Sequence, residues 1–128
     1  MAKGNAEKRD RQQEKFGCEE AEHGLTDDEL ARDLQTLTAL GSQTRYEALR
    51  LIAASDGGRC VCELEPALGV SQGAVSQALS RLFAAGLVKR RKEGRWRYYT
   101  ATPRAKRLLR ELDSMRTIET TDGATRHG

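Results

Sequence analysis

Residues 68–88 read LGVSQGAVSQALSRLFAAGLV, and their pattern decides the fold. Gly69 and Val70 break one helical pattern, and Ser71 stands where an N-cap opens another. Val75, Ala78, Leu79 and Leu82 recur at the three- and four-residue spacing of a single helix face, and the run ends near Gly86. Just upstream, Val61 to Leu68 reads as a short helix. Two helices joined by a tight turn around Gly69 have the form of a helix-turn-helix.

Working outward, residues 87–101, LVKRRKEGRWRYYTA, are rich in strand formers around Glu93-Gly94 and read as a β-hairpin. The lone Trp96 is expected to pack in that hairpin or in the core. Thr102 and Pro103 then open a last helix, with an apolar stripe of Leu108, Leu112 and Met115. On the other side, Thr26 and Glu29 form a capping-box pattern, followed by Leu30, Leu34, Leu37 and Leu40 at helical spacing. Gly41 ends that helix. Ser42 caps the next, whose apolar face is Tyr46, Leu49, Ile52 and Ala53, and SDGG at 55–58 is a turn. The expected fold is mainly α, a winged helix-turn-helix of about five helices plus a two-stranded hairpin. It occupies residues 26–118, between a flexible tail at 1–25 and a C-terminal tail at 119–128.

The 128 residues suffice for one core, and 32% charged with 5% aromatic residues suits a small helix-rich protein. No apolar run approaches the roughly 20 residues that span a bilayer. The polar start MAKGNAEKRDRQQEK lacks the apolar segment of a signal peptide, so a cytoplasmic location is expected. The net charge of +3 is unevenly spread. Residues 7–29 are mixed to acidic, whereas Lys89, Arg90, Arg91, Lys92, Arg95, Arg97, Arg104, Lys106 and Arg107 are opposed only by Glu93. Such a stripe beside a helix-turn-helix is the electrostatic footprint of a polyanion.

Double-stranded DNA is the partner this arrangement suits. Ser71, Gln72, Ser76 and Gln77 fall on the side of the helix opposite Val75 and Leu79. Glutamine bonds an adenine edge with two hydrogen bonds, and serine serves base or phosphate. Arg81, one turn further, suits a phosphate, and Arg95 and Arg97 are the expected wing contacts. No Ser/His/Asp set, paired carboxylates or phosphate loop points to an enzyme.

Cys60 and Cys62 stand at the start of the short helix. Positions i and i+2 of a helix diverge by about 200°, so an undistorted helix cannot turn both sulfurs to one ion. Either the helix begins after Cys60, or ligand binding unwinds its first turn. Pro66 has no N–H to give the Cys62 carbonyl, which eases such a distortion. Thiolates are the binding form, favoured at helix N-termini and beside cations such as Arg59. Soft sulfur donors suit trivalent arsenic and antimony, or divalent cadmium, lead and zinc. The third thiol, Cys18, lies about nine residues before the first helix, a reach of roughly 30 Å if extended. It is a candidate third ligand, in its own chain or in a partner. A thiol redox switch pairing Cys18 with Cys60 or Cys62 is the alternative.

From about residue 30 to 115 the sequence resembles the ArsR/SmtB family of metal-sensing winged-helix repressors. The resemblance rests on LGSQTRYEALRLI (40–52), CVCEL (60–64), LGVSQGAVSQALSRLFAAGLV (68–88) and RRKEGRWRYYT (90–100). It implies a homodimer built on the first and last helices. It also implies operator binding that needs no cofactor, and release when trivalent arsenic or antimony, or cadmium or lead, binds Cys60, Cys62 and Cys18. Two departures stand out. Glu65 occupies the place of a third cysteine common in the family's arsenic sensors, and Ala78 replaces a histidine of many relatives. The last helix lacks the histidines of the family's interfacial zinc site, which argues against zinc.

Overall fold

A computed structural model describes residues 19–127. Five helices and three strands follow one another among them. They are α1 (Asp27–Leu40), α2 (Gln43–Ala53), β1 (Arg59–Cys60), α3 (Val61–Leu68), α4 (Gln72–Ala84), β2 (Val88–Glu93), β3 (Trp96–Ala101) and α5 (Pro103–His127). The chain divides between Leu34 and Gln35.

In the first part, the capping box predicted for α1 is formed. The Thr26 N–H donates to Glu29 Oε1 at 2.9 Å, and the Glu29 N–H donates to Thr26 Oγ1 at 3.1 Å. Asp27, Asp28 and Glu29 fill the first turn, where negative charge meets the positive end of the helix dipole.

From Gln35 onward, one apolar core joins the remaining elements. Leu49 and Ile52 of α2, Leu64 of α3, and Val75, Leu79 and Leu82 of α4 are fully buried with Leu87 and Val88. Each such side chain contributes about 1.5–3 kcal/mol by leaving water. Ser42 caps α2, its Oγ accepting from the Arg45 N–H. The Arg45 guanidinium then binds the carbonyls of Thr38 and Ala39, which fixes the α1–α2 corner. After α4, the Leu87 N–H returns to the Leu82 carbonyl and the Gly86 N–H to that of Phe83. Thr102 caps α5 through the Ala105 N–H and donates its hydroxyl to the Gly86 carbonyl. The end of α4 and the start of α5 are thereby one joint.

The sheet has the order β1-β3-β2, all antiparallel. The hairpin is where the sequence places it, but β1 adds a third strand to the two expected. Arg59 pairs with Tyr99 and Cys60 with Tyr98. A two-residue strand has no periodicity of its own and exists only through its partner.

One further expectation is narrowed and one corrected. Of the two places expected for Trp96, the structure takes the hairpin and not the core, with the side chain 50% exposed. Trp96 pairs with Glu93 next to the Gly94–Arg95 turn, at the end of the hairpin. On α5, Ala105 and Leu109 enter the core and Leu112 packs partly against it, whereas Met115 and Ile118 are exposed. The helical backbone also continues beyond residue 119, with no proline to interrupt it, to His127.

Arg50 of α2 pairs with Asp113 of α5 at 2.9 Å and also donates to the Tyr46 hydroxyl. The hydrogen bond from Arg50, with the charges of Arg50 and Arg116, holds the Asp113 carboxyl below its ordinary value. Asp113 also binds Arg116.

Candidate nucleic-acid interface and thiol site

The turn of the helix-turn-helix is built by Gly69 and Ser71. Gly69 ends α3 in the left-handed region, at φ 69° and ψ 27°, with its N–H bonded to the Glu65 carbonyl at 3.0 Å. Glycine alone adopts that conformation without a Cβ penalty. Ser71, extended at φ −68° and ψ 160°, then accepts the Ala74 N–H on its Oγ at 3.1 Å and starts α4.

With Val75, Ala78, Leu79 and Leu82 buried, the opposite face of α4 presents Ser71, Gln72, Ser76, Gln77 and Arg81 to solvent. All five residues singled out on this helix therefore share its exposed side. Ser76, Gln77, Ser80, Arg81 and Ala84 line an open groove of about 420 Å³. Ser80 was missed in the sequence, although its position four after Ser76 and three after Gln77 places it on the same face.

The wing carries the other two expected contacts. Arg95 sits in the turn itself and Arg97 on β3 opposite Lys92, both exposed. Two neighbouring arginines of the basic stripe are used internally. The Arg90 guanidinium lies 4.0 Å from the centroid of the Phe83 ring, which joins the wing to α4. Arg91 stacks 5.3 Å from the centroid of Tyr98, pairs with Glu93 and donates to the Gly57 carbonyl.

Cys60 and Cys62 are brought together. Cys60 ends β1 and is the N-cap of α3, extended at φ −99° and ψ 165°. The helix therefore begins after Cys60, the first of the two solutions open to the sequence. A disulfide joins the two sulfurs, with the Cα atoms 5.4 Å apart. Cys60 is 6% exposed, and Cys62 faces solvent. The Cys60 N–H donates to Glu63 Oε1 at 3.0 Å, and Glu63 lies 3.9 Å from Arg59. Pro66 stands inside α3, at the position whose N–H would reach the Cys62 carbonyl. Among the described residues, no group of three His, Cys, Asp or Glu side chains could hold a metal ion. Cys18 lies outside the described residues. On reduction, the described site offers two soft donors on one side of a helix start. That suits a thiophilic ion with a further ligand from elsewhere.

Residues 42–90 match the family model for the bacterial regulatory protein, arsR family. Two relatives come from Halobacterium salinarum. One, ArsR2, named provisionally as an arsenical resistance operon repressor, is 62% identical over 89 residues, 70% of this chain and 75% of its own. The other, ArsR, carries the same provisional name and is 45% identical over 87 residues, 68% of this chain and 67% of its own. Among solved structures, the homodimeric winged helix-turn-helix DNA-binding domain Mb0332 of Mycobacterium bovis superimposes with a TM-score of 0.66 at 25% identity. That match covers 77% of this chain and 94% of that one.

Proposed function

The chain belongs to the arsR family of DNA-binding transcriptional regulators, and from that premise we propose a repressor that leaves its operator when trivalent arsenic or antimony binds Cys60 and Cys62. One observation carries the reading. The two sulfurs meet at the N-cap of α3, whose other end passes through Gly69 directly into α4. The names of the Halobacterium relatives support arsenic as the effector class.

In this reading Ser71, Gln72, Ser76, Gln77 and Arg81 contact the major groove, and Arg95 and Arg97 hold phosphates beside it. Operator binding needs no cofactor. The reduced thiolates of Cys60 and Cys62 take the soft ion, with Cys18 or Glu65 completing the set. Bond angles at the ion replace those of the free cap, so Cys60 leaves its extended geometry and α3 shifts. The two sulfurs already meet at the resting cap. The ion holds them at its own bond lengths and angles, so it binds a shifted Cys60 more tightly than the resting one, and that difference in affinity is the source of the response. Two such chains associate through apolar residues that the helices leave outward, Leu37 of α1 and Met115 and Ile118 of α5. A two-fold dimer reads an inverted repeat. The sensor and DNA-binding domain spans 26–118 and works in the cytoplasm, consistent with the absence, among the described residues, of a helix able to cross a membrane.

The sequence suggested a disulfide from Cys18 to Cys60 or Cys62; the disulfide observed joins Cys60 to Cys62, and with that pair it favours a second reading, a thiol redox switch. One titration separates the two. Purified reduced protein on labelled operator DNA is titrated with arsenite, antimonite, cadmium, lead and zinc, and separately with hydrogen peroxide. Release by arsenite and antimonite at the lowest concentrations supports the proposal. Release by cadmium or lead alone reassigns the ion, and release by peroxide alone selects the redox switch.

A further inference from the structure

Cys60 occupies a junction of two paths. Along the chain it starts α3, which leads to α4. Sideways it belongs to β1, and Cys60 pairs with Tyr98 of β3, which in turn pairs with Arg91 of β2. The second path leads to the wing, and little slack exists along it. Gly58 enters β1 at φ +94°, and a Cβ there would lie 2.9 Å from both the Tyr99 carbonyl oxygen and Thr100 Cγ2. Ser55 Oγ donates to the Gly58 carbonyl, and Arg59 Nε to that of Leu51. The segment before Cys60 is therefore tied to α2 on one side and pressed against β3 on the other.

Arg91 closes this path from the wing. Its guanidinium donates to the Gly57 carbonyl at 3.3 Å, stacks over Tyr98, and pairs with Glu93 at 3.1 Å. One planar group thus touches the loop before the thiol site, the residue opposite Cys60, and the end of β2. Arg95 and Arg97 stand exposed beyond it at the tip.

We propose that Arg91 is a positioning residue coupling the thiol site to the wing, so that displacing Cys60 moves the wing through β1 and β3 as well as α4 through α3. This rests on Cys60 and Cys62 being the sensor. Loss of operator affinity then has two sources, misplacement of the recognition helix and withdrawal of the wing phosphate contacts. Removing Arg91 leaves the first and weakens the second.

The test measures operator affinity with and without saturating arsenite, at several salt concentrations, for wild type, Arg91→Ala, Arg91→Lys and Arg97→Ala. Thermal melts establish that each variant is folded. Arg91→Ala should bind DNA within about threefold of wild type with an unchanged salt slope, and its arsenite-driven loss should shrink by about tenfold, within the usual range of coupling between sites. Arg91→Lys keeps the charge but not the planar fork, so it should follow Arg91→Ala. Arg97→Ala should show the reverse, a slope lower by about one with the fold-loss on arsenite kept. A wild-type fold-loss in Arg91→Ala overturns the proposal and leaves the sensor reading standing. A reduced salt slope in Arg91→Ala overturns it by making Arg91 a phosphate contact. Wild type that never leaves the operator with arsenite removes the sensor reading and this proposal together.

Discussion

The two helices of the helix-turn-helix start in the same backbone conformation with different atoms at the cap. Ser71 opens α4 with a hydroxyl that accepts the Ala74 N–H. Cys60 opens α3 with a sulfur in the acceptor's place of a capping box, in which the Glu63 carboxylate accepts the Cys60 N–H. Serine oxygen is among the preferred caps, whereas thioether and thiol sulfur accept hydrogen bonds weakly. Capping alone therefore does not account for a cysteine at position 60. The helix proposed to touch DNA begins at a cap of fixed chemistry. The helix behind it begins at one whose partner can change.

The largest effect should come from equalising the two caps. Cys60→Ser gives α3 an oxygen cap like that of α4, so the variant should melt no lower than wild type and bind operator normally. It should not respond to arsenite, where wild type should lose on the order of 100-fold in affinity, near the top of the usual coupling range. Cys62→Ser should behave likewise in gel shifts across an arsenite series. Normal release by both would break the contrast between the caps.

Next in size are the contacts proposed for α4 and the wing. Gln72→Ala and Gln77→Ala should each cost about 1–3 kcal/mol at one operator position through a lost two-bond contact, seen as relaxed preference in a binding-site selection. Arg95→Ala should instead weaken all sequences alike and lower the salt slope by about one. A shared pattern would mean that the two surfaces do not divide their work.

Ser71→Ala should destabilise the fold by about 1 kcal/mol, read in a denaturant melt, with the arsenite fold-loss unchanged. The smallest effect belongs to Asp113→Asn, which alters neither cap. The Asp113 carboxyl lies below its ordinary value of 3.8 because of Arg50. Its contribution to stability is therefore present above that pH and disappears as pH falls through the lower, folded value. Wild type should melt slightly higher than Asp113→Asn at neutral pH, and the gap should close in strong acid.

The helix-turn-helix was legible because its signals are local. The Ser71 cap, the Gly69 break and the Val75 to Leu82 stripe are each read within one helix, and α3 has the bounds expected for it. The spacing of Cys60 and Cys62 showed that a regular helix could not unite them, and left two solutions, of which the structure takes a helix start after Cys60. What escaped depends on distant partners. β1 needs Tyr98 and Tyr99 to exist. Arg91 looks like one more charge in a basic run until Gly57, 34 residues away, is placed beside it. On α5, alanine carries little hydrophobic signal, so Ala105 was passed over and the stripe was drawn toward Met115, which the core does not reach. For Trp96 the sequence leaves hairpin and core both open, and hairpin register, pairing it with Glu93 beside the turn, decides between them.

That position gives the protein an optical label. Trp96 is the sole tryptophan, against three tyrosines, and half of its surface meets water at the wing tip. Indole emission moves to shorter wavelength when water leaves the ring and is quenched by stacking against a nucleobase. Docking of the wing on a duplex, and its departure when effector is added, should therefore be visible as a change in intrinsic fluorescence, without a dye and in real time. Stopped-flow traces of that emission would time the wing's departure separately from the dissociation of labelled DNA.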